Sequence, residues 1–584
     1  MKKLYILLLI IGGFVIAAYL FTRFSLKADI RQAGAIEDVE NSAFAAPAKN
    51  LDTILDLRPL FKKRLQQLVK DGSKGLYDLT MDSMVVDVLE STVTLMNVKL
   101  SPDKNALAAL DNSKQAPDDV FAISLRSIKL NGINIDDVMN NKTMTFNSLN
   151  IIAPFIEIYH QKRAYNKRKS MDTENLYQRI KQHIQKLAVT KLTVEGGSVI
   201  SYDVKNKNKK TKFNDVVLRF HDILIDSTTQ NSTDRFLFAK RALLTMRNYA
   251  TRSADNLYRF KIATITIEAP KRLMTLDNVS LSSEYKKQEH KKGVLYQPEL
   301  YDLSIPRILV HNIDWWSFMN KERCIADKVD ISNPRLKVSM DRSLPSKPKE
   351  SSFLNQLLMK LPMQVYLKRL NVRNLDLTYE EYNPVSKQKG FVYFSNVYIN
   401  SSHLTNMKQY IRQKRQANVN ASGKLMRQMP ITASLTFDLV NYKSGNFSAD
   451  FNVAGFNGSL VNSFAMPLGL FKVEKGRLEN TKVHIQGNEY KTTGKILMRY
   501  NDLKLSLYEK EKDEQGLDKK GLIGLFANTF IIKNNNPQKN EPPREPIIEF
   551  QPSPNPGFSN LVWKTILTGI LETIGANPKL ASKQ

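Results

Sequence analysis

Side chains able to do chemistry are thinly spread in this sequence. Its 584 residues include seven histidines and one cysteine, Cys324, and none of these belongs to a recognisable metal-ligand motif. The sequence contains no nucleophile elbow, no Walker phosphate loop and no dinucleotide fingerprint. Paired carboxylates at Asp136–Asp137 and Glu380–Glu381 each end a strand pattern, where charged loop residues are common. We therefore expect a non-catalytic protein that needs no metal ion and no cofactor.

The chain is strongly basic, with a formal net charge of +29. Lys and Arg are spread along the chain, with runs at 162–169, 205–212 and 286–292 that fall between strand patterns. Few aromatic residues lie among them, so a base-stacking platform for nucleic acid is not expected. Solvated loops are the simpler interpretation of these runs, and contact with phospholipid headgroups is the alternative.

The N-terminus predicts a transmembrane anchor. Lys2 and Lys3 precede an uncharged run from Leu4 to Thr22, which is longer than the apolar part of a cleaved signal peptide. We predict an anchor over residues 1–27, with Leu4, Ile10, Phe14 and Leu20 in the bilayer. Since the remainder of the chain must lie on one side, we expect it on the extracytoplasmic side.

The segment 124–159 returns as 304–339 in its hydrophobic pattern, at an offset of 180 positions. Ile128 and Leu130 match Ile308 and Val310, and Pro154 matches Pro334. The two copies share the alternation of apolar residues that is typical of strands, and a proline at a turn. They do not share a set of polar residues. It predicts two β-units, 78–227 and 228–406, each with one short helix, at Asn175–Leu187 and Ser352–Leu361.

The other segments flank these units. Residues 28–77 read as a helical juxtamembrane connector, and 407–508 as an antiparallel β region with turns at Asn441–Asn446 and Tyr500–Asp502. Residues 509–557 read as a charged and Pro/Asn-rich linker. The last segment, 558–584, contains an apolar amphipathic helix and a tail. That helix either caps the exposed end of the sheet or touches a membrane or a partner, through residues Trp563, Ile566, Leu567 and Ile570.

Together these patterns predict a mainly β protein. We expect the transmembrane helix to be followed by an elongated, curled antiparallel sheet with one apolar face and a few short helices. The helices are too few to cover that face. An exposed apolar surface of such size would mark a binding site.

Two sequence segments resemble those of a known protein family. They are Leu192-Thr-Val-Glu-Gly-Gly-Ser-Val-Ile-Ser-Tyr202 and Leu370-Asn-Val-Arg-Asn-Leu-Asp-Leu-Thr-Tyr379. With the single N-terminal helix, the one-faced sheet, the tandem units and the terminal amphipathic helix, the chain resembles the AsmA-like family of Gram-negative inner-membrane proteins. The resemblance implies a β-groove like that of bridge-like lipid transfer proteins. It implies a single-pass inner-membrane location, with the bulk of the chain in the periplasm.

The resulting hypothesis is a membrane-anchored lipid-binding or lipid-transfer protein that supports outer-membrane or envelope lipid homeostasis. Phospholipid or another lipid is the expected ligand, with an envelope protein as a further partner at the distal end. The alternatives are a non-catalytic envelope assembly factor that binds a protein through its sheet, and an anchored hydrolase with an unrecognised site. The candidate groove residues are Ile128, Leu130, Ile156, Ile158, Leu192, Val194, Ile265, Ile267, Leu336, Val338, Leu370, Val372, Leu375, Leu377, Phe437 and Phe451.

Overall fold

The computed structural model is mainly β, with 61% strand and 16% helix. It describes residues 62–132, 143–166, 185–205, 210–253, 257–284, 299–320, 323–343, 353–510, 517–520, 532–552 and 557–578, apart from positions 64, 65, 68, 72, 88, 230, 231, 233 and 362. The predicted anchor, 1–27, and most of the connector lie outside these residues. Within the described part of the chain, no helix is both long and apolar enough to cross a membrane.

The chain divides into two compact units. Unit 1 comprises the described residues up to 253, with 261–275 and 315–320, and unit 2 comprises the other described residues. The strands that lie wholly in unit 1 are β1 (Tyr77–Thr80), β2 (Ser83–Asp87), β3 (Thr92–Pro102), β4 (Asp119–Asn131), β5 (Thr143–Ile152), β6 (Phe155–His160), β7 (Lys186–Asp203), β8 (Lys210–Ile225) and β9 (Ala239–Arg252). Helices α1 (Lys104–Asn112) and α2 (Trp315–Asn320) belong to unit 1, while β10 (Tyr258–Glu268) and β11 (Leu273–Ser283) each contribute residues to both units.

Unit 2 contains the strands β12 (Glu299–His311), β13 (Arg323–Ser332), β14 (Arg335–Asp341), β15 (Gln364–Asn383), β16 (Gln388–Thr405), β17 (Gln416–Leu425), β18 (Met429–Asp438), β19 (Phe447–Asn457), β20 (Phe471–Gly487), β21 (Thr492–Lys510), β22 (Leu517–Lys520) and β23 (Ile547–Phe550). Its helices are α3 (Leu354–Lys360), α4 (Lys408–Gln413), α5 (Asn462–Gly469) and α6 (Phe558–Ile574). The predicted helices at Ser352–Leu361 and over 558–575 are therefore confirmed. Residue Leu187, predicted to end a helix in the first copy, lies instead in β7, and 175–184 are outside the described residues.

The sequence repeat is a repeat of strands. Strands β4 and β12 differ by 180 positions at both ends, and so do β5 and β13. In each copy a proline divides one long strand into two: Pro154 separates β5 from β6, and Pro334 separates β13 from β14. The residue before each proline has a positive φ, at Ala153 and Asn333. The N–H of Ala153 donates to the Glu195 carbonyl of β7 at 2.7 Å. In the same way, the N–H of Asn333 donates to the Arg373 carbonyl of β15 at 2.8 Å.

The sheet is mixed, and the expectation of a purely antiparallel sheet is wrong. β7 runs parallel to β5 and β6, and β15 runs parallel to β13 and β14. Parallel neighbours need a crossover connection rather than a hairpin. In unit 2 the connection from β14 to β15 contains α3. Strand alternation looks the same in parallel and antiparallel pairs, so the sequence pattern did not distinguish them.

Each copy of the repeat has a β-bulge after its crossover. The register between β7 and β8 shifts between Val194 and Gly197, and Gly196 has a φ of +65°. The second copy has its bulge between Val372 and Leu375, where Asn374 has a φ of +56°. An extra residue in a bulge keeps apolar residues on one face when their spacing changes from two to three.

Strands β17 to β21 form the predicted antiparallel meander. A 3₁₀ turn at Tyr442–Ser444 joins β18 and β19, where the turn at Asn441–Asn446 was expected. The turn expected at Tyr500–Asp502 is wrong, because β21 runs through it and Tyr500 stays paired with Leu478. Within the predicted linker, Ile548 and Phe550 alternate as buried residues of β23, which pairs with β21.

Candidate functional site

A ladder of apolar side chains crosses the sheet of unit 2. Residues directly opposite each other in paired strands project from the same face. From β12 to β21, successive partners are Ile308, Ile331, Val372, Ile399, Ala421, Ala433, Phe451, Val483 and Ile496. A second ladder follows Leu303, Leu336, Leu377, Phe394, Leu425 and Met429. The two ladders give unit 2 a continuous apolar face.

The centre of this face is only partly buried. We define the apolar patch as the half-buried residues Leu336, Val338, Leu375, Leu377, Phe394, Val397, Ile399 and Ile431. Neighbouring residues that project to the other face, such as Lys337, Asp376 and Thr432, are exposed and polar. A face that packed against a second layer would bury such residues almost completely. The apolar patch is therefore partly accessible to a ligand or to solvent.

The equivalent face of unit 1 is closed. Its ladder from β3 to β9 is made of residues less than a tenth exposed, namely Leu95, Ile128, Ile151, Val194, Leu218 and Leu244. The contrast is sharpest at repeat-equivalent positions. Ile156 is 2% exposed, while Leu336 is half-buried, although both follow the proline that divides their strands. The two copies share a pattern but differ in accessibility.

The apolar patch has helices at its margins. At one end, α3 packs Leu358 against Leu404 and Ala417, beside Leu370 of β15. At the other end, Leu468 of α5 packs on Gly390, where an added Cβ atom would lie 2.4 Å from the Leu468 side chain. The Pro467 carbonyl of α5 accepts hydrogen bonds from the side chains of Asn383 and Ser386, both at 2.9 Å. These contacts hold α5 at the β15–β16 hairpin.

The helix α6 closes the β19–β21 side of the face. Leu561, Val562 and Ile574 join a core cluster with Val483, Ile496 and other residues of β18 to β21 and of β23. At Gly569 the helix backbone approaches the sheet so closely that an added Cβ would lie 2.6 Å from Ile496. A buried hydrogen bond of 2.8 Å joins Thr565 of α6 to Thr492 of β21.

The helix α6 is surrounded by protein on nearly all sides. Among its residues only Ser559, Asn560 and Trp563 are exposed, and Leu567 is buried while Ile566 and Ile570 are half-buried. A helix that is apolar all round is normally an internal one. Of the residues predicted to touch a membrane or a partner, Trp563 alone has the exposure for it, at 44%, and that contact stays a prediction.

Polar residues end the apolar face beside α5. Tyr379 lies opposite Val338 and Val392, and Glu381 lies opposite Gly390. Glu381 is buried and accepts a hydrogen bond from the Tyr379 hydroxyl. It also forms an ion pair with Arg342, with Nη1 and Oε1 3.1 Å apart. Burial and the neighbouring Glu381 carboxylate together hold the pKa of Tyr379 far above its usual range.

The paired carboxylates Glu380–Glu381 do not form an acid–base pair. Both lie within β15 rather than in a loop, so they project to opposite faces of the sheet. Glu380 pairs with Lys337 and Lys389 at 2.9 and 2.5 Å on the outer face. Those two cations outweigh partial burial and lower the pKa of the Glu380 carboxyl. The pair Asp136–Asp137 lies outside the described residues.

The other candidate residues are dispersed through the two units. Nitrogen atoms of three histidines face a carboxylate across the sheet: His160 with Asp119 at 2.7 Å, His311 with Asp330 at 3.1 Å and His484 with Asp450 at 2.7 Å. Among the residues that the structure describes, no group of three His, Cys, Asp or Glu side chains is placed to hold a metal ion. Burial raises the pKa of the Cys324 thiol, which makes it a poorer nucleophile.

Trp315 occupies the core of unit 1. It is 8% exposed and packs edge-on against Phe236 and Phe318, with ring centroids 5.4 and 6.1 Å apart. Its neighbour Trp316 is half-buried. Trp315 is therefore a core residue of unit 1.

The predicted groove residues divide into a buried set and a half-buried set. Less than a tenth of the surface is exposed in Ile128, Leu130, Ile156, Ile158, Leu192, Val194, Ile265, Ile267, Val372 and Phe437. The residues Leu336, Val338, Leu370, Leu375, Leu377 and Phe451 are half-buried. Prediction from the sequence omitted Phe394 and Ile431, although both belong to strands of alternating apolar residues.

Comparison with protein-family models and with curated proteins gave no match to this chain.

Proposed function

We propose that this chain is a membrane-anchored, non-catalytic protein that binds phospholipid acyl chains on the apolar patch and supports lipid transfer in a bacterial envelope. The proposal includes the N-terminal anchor, a periplasmic location for the bulk of the chain and the kinship with AsmA-like proteins suggested by the sequence. The observation that carries it is the half-buried apolar centre of the unit 2 face.

The physical argument is the free energy of exposed apolar surface. Each buried methylene group gains about 0.8 kcal/mol on leaving water. A phospholipid acyl chain is flexible and apolar, so it can follow the side chains of Leu377, Phe394 and Ile431 without requiring polar partners. The strand pairing keeps backbone polar groups within the sheet, away from such a ligand. The apolar patch therefore supports acyl-chain binding better than it supports chemistry.

A matched pair of substitutions tests this function. Ile431 and Thr432 are neighbours in β18, and their side chains project to the apolar and the polar face respectively. In full-length protein, Ile431→Asp should abolish most uptake of a fluorescent phospholipid from vesicles, because a carboxylate desolvated by acyl chains is strongly unfavourable. Thr432→Asp adds the same charge on the exposed face and should leave uptake unchanged.

Both variants should retain the circular dichroism spectrum of the parent protein. Equal uptake by folded Ile431→Asp and by the parent protein would contradict acyl-chain binding on the apolar patch. If the parent protein takes up no lipid at all, the alternative of a scaffold that binds a protein partner would gain support.

A further inference from the structure

Lys564 is a cation in an unusual position on α6. It is half-buried, one residue after Trp563, on a helix surrounded by the core of unit 2. Within the described part of the chain, no carboxylate forms an ion pair with its ammonium group. Burial lowers the pKa of Lys564, and the nearby Arg342 guanidinium lowers it further. A half-buried cation without a counter-ion is costly, and an anion would relieve that cost.

Arg342 supplies a second positive charge at the same place. Its guanidinium donates to Glu381, which also accepts the Tyr379 hydroxyl. The carboxylate of Glu381 is therefore already engaged on both oxygens and does not neutralise Lys564. Because the charges of Arg342 and Glu381 offset each other, the positive charge of this corner of the apolar face comes from the Lys564 ammonium group.

The cations lie where the apolar patch ends. Along β15 the inward residues run from Glu381 through Tyr379 to Leu377, opposite Gly390, Val392 and Phe394 of β16. At about 3.3 Å per residue, Leu377 lies about 13 Å along the strand from Glu381.

Helix contacts bring Lys564 to this corner. Leu468 of α5 rests on Gly390, and Phe464 of the same helix packs edge-on against Trp563, with ring centroids 6.3 Å apart. Thus α5 bridges the Glu381 corner and the turn of α6 that carries Lys564. An apolar surface with a positive charge at one end matches a ligand with a negative headgroup and an apolar tail.

We propose that Lys564 and Arg342 bind the phosphodiester group of an anionic phospholipid whose acyl chains lie on the apolar patch. The proposal rests on the lipid-binding function above and adds headgroup selectivity to it. Phosphate oxygens accept charge-assisted hydrogen bonds from ammonium and guanidinium groups. A choline headgroup adds a positive charge that these two cations would repel, whereas the glycerol headgroup of phosphatidylglycerol is uncharged.

The experiment measures uptake of fluorescent phosphatidylglycerol and phosphatidylcholine by the full-length protein from otherwise identical vesicles. The parent protein should favour phosphatidylglycerol about tenfold, because both lipids carry the phosphodiester group but only the choline group is repelled at this positive corner; a tenfold ratio corresponds to about 1.4 kcal/mol. Lys564→Met should lose that preference while keeping phosphatidylcholine uptake, and Lys564→Arg should retain it. Lys475→Met is the control, since Lys475 is 70% exposed and pairs with Asp502 far from the apolar patch in sequence.

The outcomes separate the two proposals. If the parent protein takes up neither lipid, the lipid-binding function itself is contradicted. Equal uptake of both lipids by the parent protein, or an unchanged preference in Lys564→Met, overturns the headgroup site while lipid binding stands.

Discussion

The difference in burial between the two copies of the repeat predicts opposite outcomes for one substitution. Ile156 and Leu336 are 180 positions apart and occupy the same place in their strands, yet Ile156 is 2% exposed and Leu336 is half-buried. An aspartate at each position places the same charge in a closed face and in a partly open one. We expect Ile156→Asp to impair folding and Leu336→Asp to impair lipid binding.

The expected magnitudes follow from burial. Removing the fully buried Ile156 side chain costs about 2–5 kcal/mol, and a buried carboxylate adds several kcal/mol more. This sum is comparable with the whole stability of a typical domain, about 5–15 kcal/mol. At Leu336 water can reach the carboxylate, and only part of the roughly 2–3 kcal/mol of a buried leucine is lost. The cost there should be about 1–2 kcal/mol.

Urea unfolding followed by circular dichroism gives the global effect, and hydrogen exchange of the β6 and β14 amides localises it. Lipid uptake is measured on the same samples, with Thr432→Asp as the charge control. Equal loss of stability at the two positions would refute the assignment of a closed face to unit 1 and an open one to unit 2. Full lipid uptake by Leu336→Asp would refute the role of Leu336 in the apolar patch.

Two further predictions concern packing and pH. Leu561→Ala should lower the unfolding free energy by about 2–5 kcal/mol, because Leu561 is fully buried between α6 and the sheet. Trp563→Ala should lower it far less, since Trp563 is 44% exposed. Similar urea midpoints for the two variants would argue against this placement of α6. Burial holds the pKa of His403 in the folded protein below its ordinary value of 6.5. As the pH falls, the unfolded chain therefore binds a proton at this histidine before the folded protein does. The contribution of His403 to stability is full above pH 6.5 and declines as the pH falls toward the lowered pKa of the folded protein. His403→Gln should flatten that part of the stability–pH profile, and an unchanged profile would exclude His403 as its source.

Local structure was largely predictable from the sequence. Alternating residues such as Ile128 and Leu130 indicated strands, and the spacing of Pro154 and Pro334 revealed the repeat. The long apolar rows of residues 558–575 indicated the helix α6. These features depend on periodicity within a short segment, which a sequence displays directly.

Features that depend on distant contacts were not predictable. Parallel and antiparallel strands share one alternation, so the direction of β7 and β15 was hidden. Ile156 and Leu336 are chemically alike, and only the surrounding fold distinguishes their burial. The placement of Lys564 near Arg342 joins residues more than 200 positions apart, and no local pattern signals such a meeting.

On our proposal, lipid acyl chains occupy the apolar patch of unit 2. The most direct measurement is photocrosslinking of the full-length protein with a phospholipid that carries a diazirine in its acyl chain, followed by peptide mass spectrometry. We expect crosslinks to the segments around Leu377, Phe394 and Ile431, and their loss in Ile431→Asp but not in Thr432→Asp. Crosslinks confined to other segments, or equal labelling of the two variants, would contradict it.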